Sequence, residues 1–264
     1  MGTFRAWRAI PDGKKWLRIH DGQEWPDFYD AEQMEDRRKF FDRFLKDIDN
    51  GWEKTPTVRY SLHDFEGGNA TGIAAETFPP SGVSYERLYL DGMTRTLTAK
   101  PAEADVPAKY DAEGYDDMDV YISLYKLDRF GTMLQQFTVP NHSARSHDLT
   151  EKGGSILRYR GSTGRLRVSM RHLDAEKSTP EIPYHTFDRV EKLKAGEVVP
   201  VEIEMYPVGL VLYAGEQLRL VVSASDEAGS MMPGTAPVKP DNKGKHTIHC
   251  GGDYASYLQH PFKR

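Results

Sequence analysis

The sequence predicts a mainly-β chain, a sandwich or jelly roll of short strands, preceded by a short segment of α/β character. Three observations carry that prediction. From Thr57 onward the apolar residues recur with a period of two, the spacing of a strand wet on one side. Before Thr57 stands an amphipathic helix with its own start and stop signals. Between the alternating runs lie turn residues such as Lys194-Ala195-Gly196 and Ala214-Gly215, and many short strands joined this way favour a sandwich or jelly roll.

The first segment reads in order as follows. Thr3 to Ile10 suits a short helix with Phe4 and Trp7 on one side, and Pro11-Asp12-Gly13 suits a turn. Lys14 to His20 is strand-like, and Asp21 to Tyr29, with no period, reads as a loop. The clearest helix runs from Asp30 to Ile48. Asp30 is a good N-cap, Gln33 completes a capping-box pattern, and Gly51 is a stop signal. Met34, Phe41, Leu45 and Ile48 form an apolar stripe that one strand and one helix cannot bury, so a packing partner is implied.

The strand-like runs are 57–63, 85–91, 118–128, 133–139, 165–173, 198–206, 210–213 and 217–224. Within them Leu166, Val168 and Met170 share one face, as do Val201, Ile203 and Met205, and Leu218, Leu220 and Val222. Loops are expected at residues 67–82, 101–114 and 227–245. No internal repeat is present.

Composition narrows the function. The chain has 264 residues, 38% hydrophobic and 28% charged, as in an ordinary globular protein. Its 35 Lys+Arg and 40 Asp+Glu give a net charge of −5 with no basic block, which argues against nucleic-acid binding. No apolar run approaches the ~20 residues of a membrane-spanning helix, and no signal-peptide layout stands at the start, so no membrane partner is expected. The one cysteine, Cys250, excludes an internal disulfide framework and cysteine-rich metal sites, and fits a reducing, cytoplasmic setting.

Several long ordered segments carry a resemblance. WLRIHDGQEWPDFYD and RRKFFDRFLKDIDNGWEKTPTVRYSL come first, followed by YDDMDVYISLYKLD, RVSMRHLDAEKSTPEIPYHTFD, LKAGEVVPVEIEMYPVGLVLYAGEQLRLVVSASD and HTIHCGGDYASYLQHPF. The chain resembles the cocaine-esterase / X-Pro dipeptidyl-peptidase (CocE/NonD) family of serine hydrolases over most of its length. The resemblance implies that residues 1–56 are the C-terminal remnant of an α/β-hydrolase domain. Residues 57–264 would be a galactose-binding-like jelly roll. It further implies acyl transfer on esters or amides by a Ser–His–Asp triad, and no cofactor.

In an α/β-hydrolase the histidine follows the last strand and precedes the last helix. By resemblance His20 is therefore the triad base, and Trp25, close behind it, is a candidate wall of the acyl pocket. No G-x-S-x-G nucleophile elbow occurs; the nearest Gly/Ser combinations, at 161–164 and 229–230, lie on the wrong side of His20. The triad acid is expected upstream of residue 1, so the chain reads as a truncated, mis-spliced or diverged fragment, inactive alone. A further departure lies at 108–116, where about two family strands are expected and the chain passes almost directly from a linker into YDDMD. The implied partner is a small ester or peptide substrate of the intact enzyme, with homo-oligomerisation left open. The alternative is a stand-alone sandwich module binding a glycan or a protein.

The remaining constellations favour structural roles. His246 and His249, three apart on a strand, point to opposite sides and make a poor metal pair. Asp116, Asp117 and Asp119 lack the Gly and Glu offsets of a calcium loop and read as a charged strand entry. His142 and His147 flank a polar turn. Residues 183–189 read as a domain-contact loop, and Trp16, Trp25 and Trp52 as interior or interface anchors.

Overall fold

A computed structural model describes residues 2–65, 68–112, 117–138, 141–145, 158–159, 161–226 and 244–263. The first segment holds α1 (Gly2–Ala9), β1 (Leu17–Arg18), α2 (Glu24–Tyr29) and α3 (Ala31–Lys46). Helix α1 reaches the later chain through Phe4 stacked on Phe78, with centroids 5.0 Å apart, and through an Arg5–Glu204 ion pair at 2.6 Å.

Helix α3 starts where the sequence indicates. Asp30 accepts hydrogen bonds from the backbone N–H of Glu32 and Gln33 at 3.0 and 3.2 Å, satisfying two donors that a helix start leaves orphaned. The loop expected over residues 21–29 instead contains α2. Pro26 sits in its first turn, where a missing N–H costs nothing, so proline there did not exclude a helix.

The helix has two apolar sides, of which the sequence stripe is only one. Phe40 and Phe44 turn inward to Trp16 (6.1 and 5.5 Å), and Trp16 meets Trp52 at 5.6 Å, burying Trp52 to 4% exposure. Met34, Phe41, Leu45 and Ile48 face outward, with Leu45 76% exposed.

The β elements follow: β2 (Val58–Leu62), β3 (Ala70–Ala75), β4 (Ser84–Asp91), β5 (Thr96–Thr98), β6 (Ala108–Ala112), β7 (Asp119–Leu127) and β8 (Leu134–Thr138), then β9 (Asn141–Arg145), β10 (Arg158–Tyr159), β11 (Gly161–Arg167), β12 (Gln217–Ser223), β13 (Gly244–Ile248) and β14 (Tyr257–Phe262). They form sheets β1-β2-β3, β10-β8-β9, β11-β7-β12, β13-β6 and β14-β4-β5. The chain is mainly β. Every described ladder is antiparallel except β1–β2, where Leu17 pairs with Val58.

Two of the three predicted one-face sets reach a common interior, and of Leu166, Val168 and Met170 only Val168 does. Val120, Ile122 and Leu124 of β7 and Leu218, Leu220 and Val222 of β12 line a cavity of about 2340 Å³, and Leu88, Leu90 and Leu258 line it too. Val201, Ile203 and Met205 also reach this interior, but their segment is not a ladder strand; it touches the sheets through single bridges, Gly164 to Met205 and His63 to Leu210. Pro200 and Pro207 lack the N–H that a ladder needs, which is the physical reason the alternation misled. The run at 165–173 ends as a ladder at Arg167 and continues as a 3₁₀ turn, Val168–Met170. Two segments expected as loops hold strands β3 and β6, and most of the third, 227–243, lies outside the described residues.

Candidate functional site

Strand β1 delivers the chain to His20. Leu17 N–H donates to Thr57 O at 2.9 Å and Ile19 N–H to Arg59 O at 2.8 Å, a parallel ladder that runs to the residue before the histidine. Ser61 Oγ then donates to Ile19 O at 3.0 Å. The imidazole is half-buried, and its Nδ1 is buried without a hydrogen-bond partner among the described residues. The nearest anion is Asp27 on α2, whose Oδ1 lies 3.6 Å from Nδ1, beyond hydrogen-bond reach.

Asp27 is already engaged. Arg18 grips both its oxygens with a bidentate pair at 2.6 and 2.7 Å. That guanidinium holds the Asp27 carboxyl below its usual range, and Asp27 in turn raises Arg18. An ionised carboxylate thus stands beside the ring without bonding to it. Chemically, the arrangement offers a strand-end imidazole whose buried Nδ1 lies near an ionised carboxylate without bonding to it.

On the far side of His20, Asp21 is anchored by residues that no local signal announces. Asn69 Nδ2 donates to Asp21 Oδ2 at 2.7 Å across 48 positions, and Gln136 Nε2 approaches Asp21 O at 3.5 Å across 115. Trp25, also on α2, is 42% exposed and lies beside the exposed Phe28 and Tyr29. Of the three tryptophans expected as anchors, Trp52 is buried and Trp16 half-buried, while Trp25 is exposed.

The other constellations separate. Ser162, in the 161–164 stretch, donates its hydroxyl to Tyr206 O, and Gly229-Ser230 lies outside the described residues. His246 Nδ1 meets Tyr110 Oη at 3.1 Å, while His249 Nδ1 pairs with Asp105 Oδ2 at 2.6 Å. Asp117 accepts from Ser169 Oγ at 2.6 Å, Asp119 pairs with Arg167 at 3.0 Å, and Asp116 lies outside the described residues. So does His147, and of His142 only the backbone is described. His185 is buried, bridged through its backbone to Leu173. No group of three His, Cys, Asp or Glu able to hold a metal occurs among the described residues. Nor is any described helix long and apolar enough to cross a membrane.

Comparisons with known proteins bear on the β-rich part of the chain. The X-Pro dipeptidyl-peptidase C-terminal non-catalytic domain family matches residues 50–115 and 103–259, two stretches that overlap around β6. His20 precedes both. Two crystal structures of a CocE/NonD family hydrolase from Staphylococcus aureus resemble the chain at 31% identity. One has a TM-score of 0.85 and covers 100% of the chain, the other 0.84 and 98%. The chain spans about half, 51%, of each of those solved chains. Comparison with curated proteins finds no match. With the family match running from residue 50 to 259 and the sheets in agreement, the chain belongs to the X-Pro dipeptidyl-peptidase C-terminal non-catalytic domain family, as found in CocE/NonD hydrolases.

Proposed function

We propose that this chain supplies the base and the C-terminal sandwich of a serine hydrolase whose nucleophile and triad acid stand outside these 264 residues. Residues 1–56 are the closing strand and helices of its α/β-hydrolase domain, and residues 57–264 a jelly roll that carries no catalytic group. The observation that carries the reading is His20, placed at the end of a parallel strand and before α2 and α3 with a buried, unpartnered Nδ1 among the described residues. A triad acid bonds that nitrogen, which fixes the tautomer so that Nε2 can take the serine proton and return it to the leaving group. The outward stripe of α3 supports the same reading, because a terminal hydrolase helix lies against a sheet. Trp25, exposed on α2 five positions after His20, would form a wall for the acyl group of a small ester or of an X-Pro peptide.

Without an activated serine the chain forms no acyl-serine intermediate, and the slow attack of exposed imidazoles on an activated ester is common to the chain and its variants. The purified chain is therefore expected to hydrolyse p-nitrophenyl acetate no faster than its His20→Ala variant. Turnover well above that variant would show a complete site within the chain and would overturn the reading.

A further inference from the structure

The residues on either side of His20 are held from the sandwich. Ile19 is fixed by Arg59 O and Ser61 Oγ on β2, at 2.8 and 3.0 Å. Asp21 is held by Asn69 and approached by Gln136, which belong to a small polar junction. Gln136, on β8, is 1% exposed. Its Oε1 accepts from Asn69 Nδ2 at 2.7 Å and lies 2.8 Å from His63 Nδ1, so its amide can face only one way, with Nε2 toward Asp21 O.

Asn69 is equally constrained. Its Oδ1 accepts from Asp64 N–H at 3.0 Å, and its Nδ2 donates both to Gln136 and to the Asp21 carboxylate. His63 itself packs against Phe65 and Tyr159, with ring centroids 5.4 and 4.7 Å away. A half-satisfied network of this kind would be costly inside a protein, whereas a satisfied one is rigid. These two amides meet the first segment at the residue after the histidine.

We propose that Asn69 and Gln136 are positioning residues for His20, so that the sandwich, non-catalytic in itself, sets the loop from which the base acts. The proposal rests on the reading of His20 as that base. The Asn69–Asp21 bond is charge-assisted, and Gln136 holds Asn69 in the orientation that makes it. Loss of either amide leaves the ladder to Ile19 and the Arg18–Asp27 pair intact and loosens the short stretch between them.

The test uses the full chain, with Asn69→Asp, which keeps the shape and removes the donor, and Gln136→Met, which keeps the volume of a buried site. Amide exchange at residues 19–22 and the His20 Hε1 resonance are followed beside exchange in β7. In both variants exchange at residues 20–22 is expected to rise about 10-fold, with Ile19 and β7 unchanged and the His20 signal shifted or broadened. Unchanged exchange and an unchanged His20 signal would overturn the proposal. So would equal loosening of β7, which would mark the amides as general supports of the fold. Asn69→Asp, at a half-exposed position, keeps the test decisive should Gln136→Met fail to fold. None of these readouts requires turnover, so a failure here is separate from a failure of the hydrolase reading, which the ester assay decides.

Discussion

Lys126 carries its ammonium into the middle of the fold with 0% of its side chain exposed. It donates to Asp64 O at 2.7 Å and pairs with Glu216 at 2.9 Å and with the Asp64 carboxylate at 3.5 Å. Breaking one side of a buried ion cluster leaves the other charges uncompensated, so Lys126→Ala is expected to cost about 3–5 kcal/mol in a urea melt. A loss under about 1 kcal/mol would show the cluster to be wetter than its geometry implies. His63, His185 and His246 form a second residue-scale case. Burial lowers the pKa of each below the free value of 6.5. Below that value the unfolded chain binds protons that the folded chain refuses, so folding stability falls as pH drops from 6.5 toward the lower folded values. The melting temperature should therefore decline as pH falls from about 7 to about 5.5, and His63→Gln should flatten the slope. None of this was legible in the sequence. Histidines 63, 185 and 246 lie on alternating or loop-like runs, and only long-range packing decides which are dehydrated.

At the scale of elements, α3 was the most legible part of the chain, because Asp30 and the helical period are local signals. Its orientation was not. Phe40 and Phe44 sit beside the predicted stripe on the helical wheel, and which apolar side turns inward depends on Trp16 and Trp52. The outward side makes a simple prediction. Leu45→Glu should change stability by no more than about 0.5 kcal/mol while clearly reducing the fluorescence of a bound hydrophobic dye. A large loss of stability would mean that Leu45 is covered. Strand β11 gives the converse case. Gly161 has φ +152°, and an added Cβ would lie 1.9 Å from Leu124 O on β7. Gly161→Ala must therefore push two paired strands apart, at an expected cost of about 3 kcal/mol by thermal melt. An unshifted melt would mean that the β11–β7 ladder can yield.

Over the whole molecule, the first segment and the sandwich share a sheet. β1 pairs with β2 across the expected boundary at 56/57, and Arg59 on β2 grips Asp36 on α3 at 2.8 and 2.9 Å. The two parts should therefore melt together, and Arg59→Ala should weaken that coupling. A calorimetric trace with two separate transitions would contradict it. The same continuity lets residues as distant as Gln136 reach the loop after His20.

The sequence alone determined the β-rich class, the capped helix, the apolar face of strand β12 and the strand–histidine–helix order around His20. Each of these is written in residue spacing or in a local hydrogen-bonding preference. Tertiary structure decided the rest: that α2 is a helix, that the proline-bearing segment near Val201 lines the interior without joining a ladder, and that Asn69 and Gln136 meet at Asp21. Those outcomes depend on which distant groups satisfy a backbone donor or a buried amide, and spacing along the chain carries no record of that choice.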